Sequence, residues 1–116
     1  MRNDEADVLD RAMFDDFAGL FGRGELRDMI EEWRTDTAIA LDAIADALAR
    51  GDRARVGEIA HRTAGGALAL GAMALARASE RLRAGAESGG TVADDVAAAR
   101  DAAAVTYAAM TRAAGL

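Results

Sequence analysis

The sequence predicts an all-α protein: an antiparallel up-down four-helix bundle with an additional short N-terminal helix. Three observations carry this. The 116 residues include no proline and abundant alanine, which favours uninterrupted helices. Apolar residues recur at three- and four-residue spacing through four long stretches. Short glycine-containing joints separate those stretches, as antiparallel neighbours require. The length suits one domain spanning 1–116, with a modest core ordered over about residues 8–113.

Residues 1–6 are expected to fray. Asp7 could cap a short helix running to about Leu20, with Val8, Leu9, Met13, Phe14, Phe17, Leu20 and Phe21 as its apolar residues. That is more than one face needs, and most of them should form a lid over one end of the bundle. Gly22-Arg23-Gly24 breaks the pattern. A long helix then runs from Glu25 to about Arg50, with Leu26, Ile30, Trp33, Thr37, Leu41, Ile44 and Leu48 inward and Trp33 as a core anchor. The next helix lies between Asp52, a side-chain N-cap, and Gly71, a left-handed terminator. A fourth runs from Ala72 to about Ser88 with Leu75, Ser79, Leu82 and Ala86 inward, and Gly89-Gly90 ends it. Thr91-Val-Ala-Asp94 reads as a variant capping box. The last helix extends to about Ala113, burying Val92, Val96, Ala99, Ala103, Thr106, Tyr107 and Met110, with the Tyr107 hydroxyl at the surface.

Composition excludes several functions. The net charge is −6 without a basic stripe, which argues against nucleic-acid binding. No apolar run reaches the ~18 residues of a membrane span, and the acidic N-terminus is unlike a signal peptide, so a cytoplasmic protein with no membrane association is expected. There is no cysteine and a single histidine, so no zinc site can form without several acidic ligands. No Gly-rich phosphate loop, metal-spaced carboxylate cluster or nucleophile–base pair is present. The expected cofactor and metal content is none, and the expected state is a monomer.

The one histidine, His61, organises the remainder. At about 100° per residue, Val56, Ile59, Ala60, Thr63, Ala67 and Leu70 fall within roughly 40° of one direction, the core side. His61 lies about 140° from it and should face solvent. Around it lie Ala54, Gly57, Ala64, Gly65 and Leu68, four of them nearly without side chain. Interior helix glycines cost about 1 kcal/mol each relative to alanine, so Gly57, Gly65 and Gly66 ask for a reason. Either a bare surface admits a partner's backbone beside the imidazole, or small residues let the helices of this chain pack tightly.

Ile59-Ala-His-Arg-Thr-Ala-Gly-Gly-Ala-Leu-Ala-Leu-Gly-Ala72 resembles the signature of histidine phosphotransfer (HPt) domains. Ala60, His61, Gly65, Gly66, Leu70, Gly71, Ala72, Leu75 and Leu82 match in register. Ala47-Leu-Ala-Arg-Gly-Asp52 resembles the turn preceding the histidine helix in that family, and the resemblance covers roughly residues 8–113. It implies the bundle fold, with His61 as acceptor of a phosphoryl group passed to or from a receiver-domain aspartate. It also implies docking by the N-terminal helix, here through Phe14 and Phe17, alongside Ala54, Gly57, Glu58, Ala64, Gly65 and Leu68. The partners implied are a response-regulator receiver domain, a histidine kinase, or both, with Mg²⁺ on the receiver.

The family's lysine three residues after the histidine is replaced here by Ala64. Phosphoryl transfer requires compensation of charge on the equatorial oxygens, so another cation must serve. By register with the matched Leu-Gly-Ala and Leu82, the resemblance implies that Arg83 holds a position on the next helix that often carries a polar residue facing the phosphohistidine, and Arg83 is the first candidate. Arg62, about 100° around the helix from His61, is the second. Glu58, one turn before His61, is a candidate to orient the ring or else a solvated charge. An exposed imidazole with the reference pKa of ~6.5 is largely neutral at physiological pH and can act as a nucleophile. With no ATP site the chain is expected to be a carrier and not an enzyme, loaded by a kinase or a phosphorylated receiver. The alternatives are a docking module of the same fold that is never phosphorylated, and a structural bundle in which the histidine is incidental.

Overall fold

The computed structural model describes residues 5–90 and 92–116. Among these, six helices and no strand occur: α1 (Glu5–Val8), α2 (Arg11–Ala18), α3 (Arg23–Ala49), α4 (Arg53–Ala69), α5 (Met73–Ser88) and α6 (Ala93–Ala113). At 1.5 Å per residue the 27 residues of α3 span about 40 Å, which accounts for the 42 Å length of the molecule. Cross-helix contacts show that neighbours run in opposite directions. Arg23 and Arg100 reach from α3 and α6 to Gly115 and Asp42 respectively, while Tyr107 on α6 meets Glu31 on α3. Arg53 at the start of α4 meets Gly85 and Ala86 at the end of α5.

The inward stripes of the long helices pack as two adjoining apolar clusters. One gathers Leu41, Ile44, Val56, Ile59, Leu82 and Val96. The other gathers Leu26, Ile30, Leu75 and Met110, closed over by Val8, Leu9 and Phe14. Phe14 is 1% exposed, a burial that contributes about 1.5–3 kcal/mol. Trp33 and Tyr107 are half-buried at the edge of this second cluster, not central to it. The Tyr107 hydroxyl donates to the Glu31 carboxylate, which raises its pKa, and the Arg34 guanidinium lies 4.7 Å from the ring centroid.

The N-terminal helix departs from expectation. It is split in two, and Asp10, not Asp7, caps the main piece by accepting from the Met13 amide at 3.1 Å. The break has a tertiary cause. The Asp10 amide donates to the Gly71 carbonyl at 2.8 Å, so the chain leaves the helical path to dock on the α4–α5 joint. Gly71 adopts φ +76°, and a Cβ there would lie 2.8 Å from the Asp10 carbonyl oxygen. At the other end, Gly85 and Val92 are equally close: a Cβ on Gly85 would meet Val92 Cγ1 at 2.6 Å. Thr91, expected to cap α6, lies outside the described residues. Val92 holds the N-cap position and is buried there.

Candidate functional site

The α4 helix is started by Asp52, whose carboxylate accepts from the Arg55 amide at 3.1 Å. It is held on two sides, by α3 and most extensively by α5, with Val56, Ile59, Ala60, Ala64 and Ala67 buried. His61 is exposed, as the helical periodicity requires. Ala54, Glu58 and Gly65 are exposed beside it, Gly57 is half-buried, and Leu68 is 45% exposed.

Two expected surface positions are corrected. Ala64 is 2% exposed and cannot belong to a docking surface. It lies on the row joining the buried Ala60 to the buried Ala67, and α4 hides a wider arc than the six-residue stripe read from the sequence, because two helices flank it. Phe14 is likewise a lid residue at 1% exposure, and Phe17 is half-buried with its ring against Phe21 at 5.0 Å. The large apolar side chains that α2 and the turn after it do present are Met13 and Leu20, 42% and 76% exposed.

His61 opens onto a groove of about 430 Å³ between α4 and α5. The α4 wall carries Arg53, Ala54, Gly57 and Glu58; the α5 wall carries Arg83, Ala86 and Glu87. Positions 53, 54, 57, 58 and 61 share one helical face by the i, i+3, i+4 rule. Arg83 is therefore brought together with His61. Arg62 is not: it lines a separate recess with Asp36, Ile39, Ala43 and Arg55 on the α3 side. Glu58 accepts from Arg55 Nη1 at 3.1 Å, which makes it a member of a surface ion pair.

All 14 basic residues of the chain are arginine, so any phosphate contact by a cationic side chain must be made by a guanidinium. The groove holds two. Arg53, which sequence reasoning overlooked, donates from Nε to the Ala86 carbonyl at 3.2 Å and from Nη2 to the Gly85 carbonyl at 3.0 Å and to the Gly90 carbonyl. It thereby supplies a donor to the Ala86 carbonyl, one of those a helix end leaves open, and ties the start of α4 to the end of α5; its position eight residues before His61 was the available signal. Arg83 donates from Nε and Nη2 to Glu80 Oε2 at 3.0 and 2.8 Å, and from Nη1 to Glu87 Oε1 at 2.9 Å. Glu80 and then Glu87 raise its pKa. Arg53 is committed to backbone carbonyls, whereas Arg83 is committed only to exposed side-chain carboxylates.

A side chain added at Gly57, Gly65 or Gly66 would meet nothing within 4 Å. These glycines therefore serve no close approach between helices of this chain.

No curated protein and no solved structure matches the chain. The family model described as Hpt domain matches residues 15–113, a span that includes α4, the groove and every long helix. The chain belongs to the Hpt domain family, the phosphotransfer modules of two-component phosphorelays.

Proposed function

We propose that the protein is a cytoplasmic phosphoryl carrier, with His61 as acceptor, serving a histidine kinase or receiver domain on one side and a response-regulator aspartate on the other. The observation that carries this reading is the placement of the sole histidine: exposed on α4, opening onto a groove whose facing wall bears Arg83. In loading from a receiver, an unprotonated imidazole nitrogen attacks phosphorus, the N–P bond forms, and the P–O bond breaks to release the aspartate carboxylate. The reverse reaction donates the group. Geometry and charge compensation carry most of the catalysis in such a transfer, so this chain contributes a nucleophile, an open approach and a guanidinium. Mg²⁺ is assigned to the receiver partner. Among the described residues no group of three or more His, Cys, Asp or Glu side chains could hold a metal ion.

The docking reading, with no phosphorylation, draws support from Ala64, because the cation usual at that position is missing. One experiment separates the two. Native protein and His61→Gln are offered a panel of phosphorylated receivers and histidine kinases, and acid-labile label is followed on each protein. Label on the native protein alone, acquired rapidly from one partner, is expected. Binding to a partner without any labelling would establish the docking module instead.

A further inference from the structure

The groove beside His61 contains a guanidinium each of whose three nitrogens donates to a carboxylate on its own helix. Glu80, Arg83 and Glu87 follow the i, i+3 and i, i+4 spacing along α5. The Arg83 side chain is 34% exposed, and those of Glu80 and Glu87 are 44% and 64% exposed. Across the groove stands Glu58, and the second guanidinium, Arg53, is tied to backbone carbonyls. A phosphoryl group on His61 would add between 1.5 and 2 negative charges, roughly. It would enter a space whose two guanidiniums already donate to other groups and whose two walls both carry carboxylates.

Resting on the reading of His61 as acceptor and Arg83 as its cation, we propose that Glu80 and Glu87 are positioning residues that compete with the phosphoryl group for Arg83. They hold the guanidinium along α5 when His61 is bare. Exposed carboxylate pairs of this spacing are weak, and phosphate is a strong bidentate acceptor for arginine. Phosphorylation therefore draws Arg83 off Glu80 and Glu87. The two carboxylates, left without their partner near a new anion, raise the free energy of the phosphorylated state. The consequence is a carrier poised to give its phosphoryl group away and not to store it. A lysine on α4, as the family pattern has it, would not be subject to this competition from α5. The arginine on α5 makes the holding power of the site adjustable by its helical neighbours.

The test needs no biological partner. Phosphoramidate loads histidine directly: the imidazole nitrogen forms the N–P bond as the P–N bond of the reagent breaks and ammonia leaves. After the reagent is removed, hydrolysis returns the protein: water oxygen bonds to phosphorus, the N–P bond breaks, its electron pair stays on the imidazole nitrogen, and phosphate departs. The phosphohistidine lifetime is measured for the native protein, Arg83→Ala, Glu80→Gln and Glu87→Gln, and for each glutamine variant combined with Arg83→Ala. The Arg83 Nε–H resonance is followed through loading. Expected are a shift of that resonance on phosphorylation, a shorter lifetime in Arg83→Ala, and a lifetime lengthened about twofold by each glutamine, the size of one exposed pair. The lengthening should vanish when Arg83 is alanine. Unchanged or shortened lifetimes in Glu80→Gln and Glu87→Gln, with Arg83→Ala still short-lived, would overturn the competition alone and show that the carboxylates pre-orient the arginine. An unchanged lifetime in Arg83→Ala would overturn the role of Arg83 as well. Label that persists in His61→Gln would overturn the acceptor itself.

Discussion

Two sets of glycines in this molecule meet opposite surroundings. Gly71 and Gly85 sit where the fold leaves no room: a Cβ would come within 2.8 Å of the Asp10 carbonyl oxygen or 2.6 Å of Val92 Cγ1. Gly57, Gly65 and Gly66 sit on α4 with nothing within 4 Å of such an atom. The first set is explained by the chain itself. The second lowers helix stability without any return inside the chain, and two of its members, Gly57 and Gly65, share the face of α4 that carries His61. The contrast supports the proposed partner-facing surface on α4.

The comparison breaks most visibly at Gly71. Gly71→Ala places a side chain at φ +76° against the Asp10 carbonyl and should cost about 2 kcal/mol or more, with α2 undocked from the α4–α5 joint. Gly85→Ala presses on Val92, a buried residue with a stiff side chain, and should cost about 1–3 kcal/mol. Thermal melts monitored by circular dichroism check both, and an unchanged midpoint in either would show that the joint yields.

The two groove arginines divide in the same way. Arg53→Ala removes the donors to the Gly85, Ala86 and Gly90 carbonyls and should destabilise the fold by about 1–2 kcal/mol. Arg83→Ala removes only exposed ion pairs and should leave the melting temperature nearly unaltered while shortening the life of phosphohistidine. Equal melting losses in the two would show that Arg83 is structural.

The smallest expected effect has the opposite sign. Gly65→Ala should stabilise the protein by up to about 1 kcal/mol, since its methyl group meets open space. The same change should weaken binding to a receiver or kinase partner, read by titration calorimetry. Stabilisation with undiminished affinity would remove Gly65 from the docking surface.

Much of this was legible from local pattern. The inward residues of α5 and most of those of α3 and α6 are buried as the three- and four-residue spacing indicates, because periodicity records which face was selected to be apolar. His61 stands exposed for the same reason. Asp52 and Gly71 bound α4 through local hydrogen bonding and backbone conformation. The misreadings arose where an element answers to a distant one. Asp10 replaced Asp7 as a cap because Gly71, some sixty residues later, fixes the chain there. Phe14 and Phe17 are indistinguishable from Met13 and Leu20 by hydropathy, and only the docking angle of α2 sorts lid from surface.

Local spacing, caps and glycines set the four long helices, the joint at Gly71 and the solvent-facing histidine, since these depend on residues a few positions apart. The burial of Ala64 and the separation of Arg62 from Arg83 were decided by tertiary structure. So was the difference between an arginine locked on carbonyls and one held by carboxylates. Those depend on how α4 and α5 approach each other, and helix periodicity specifies a face without specifying which neighbour it meets or how closely.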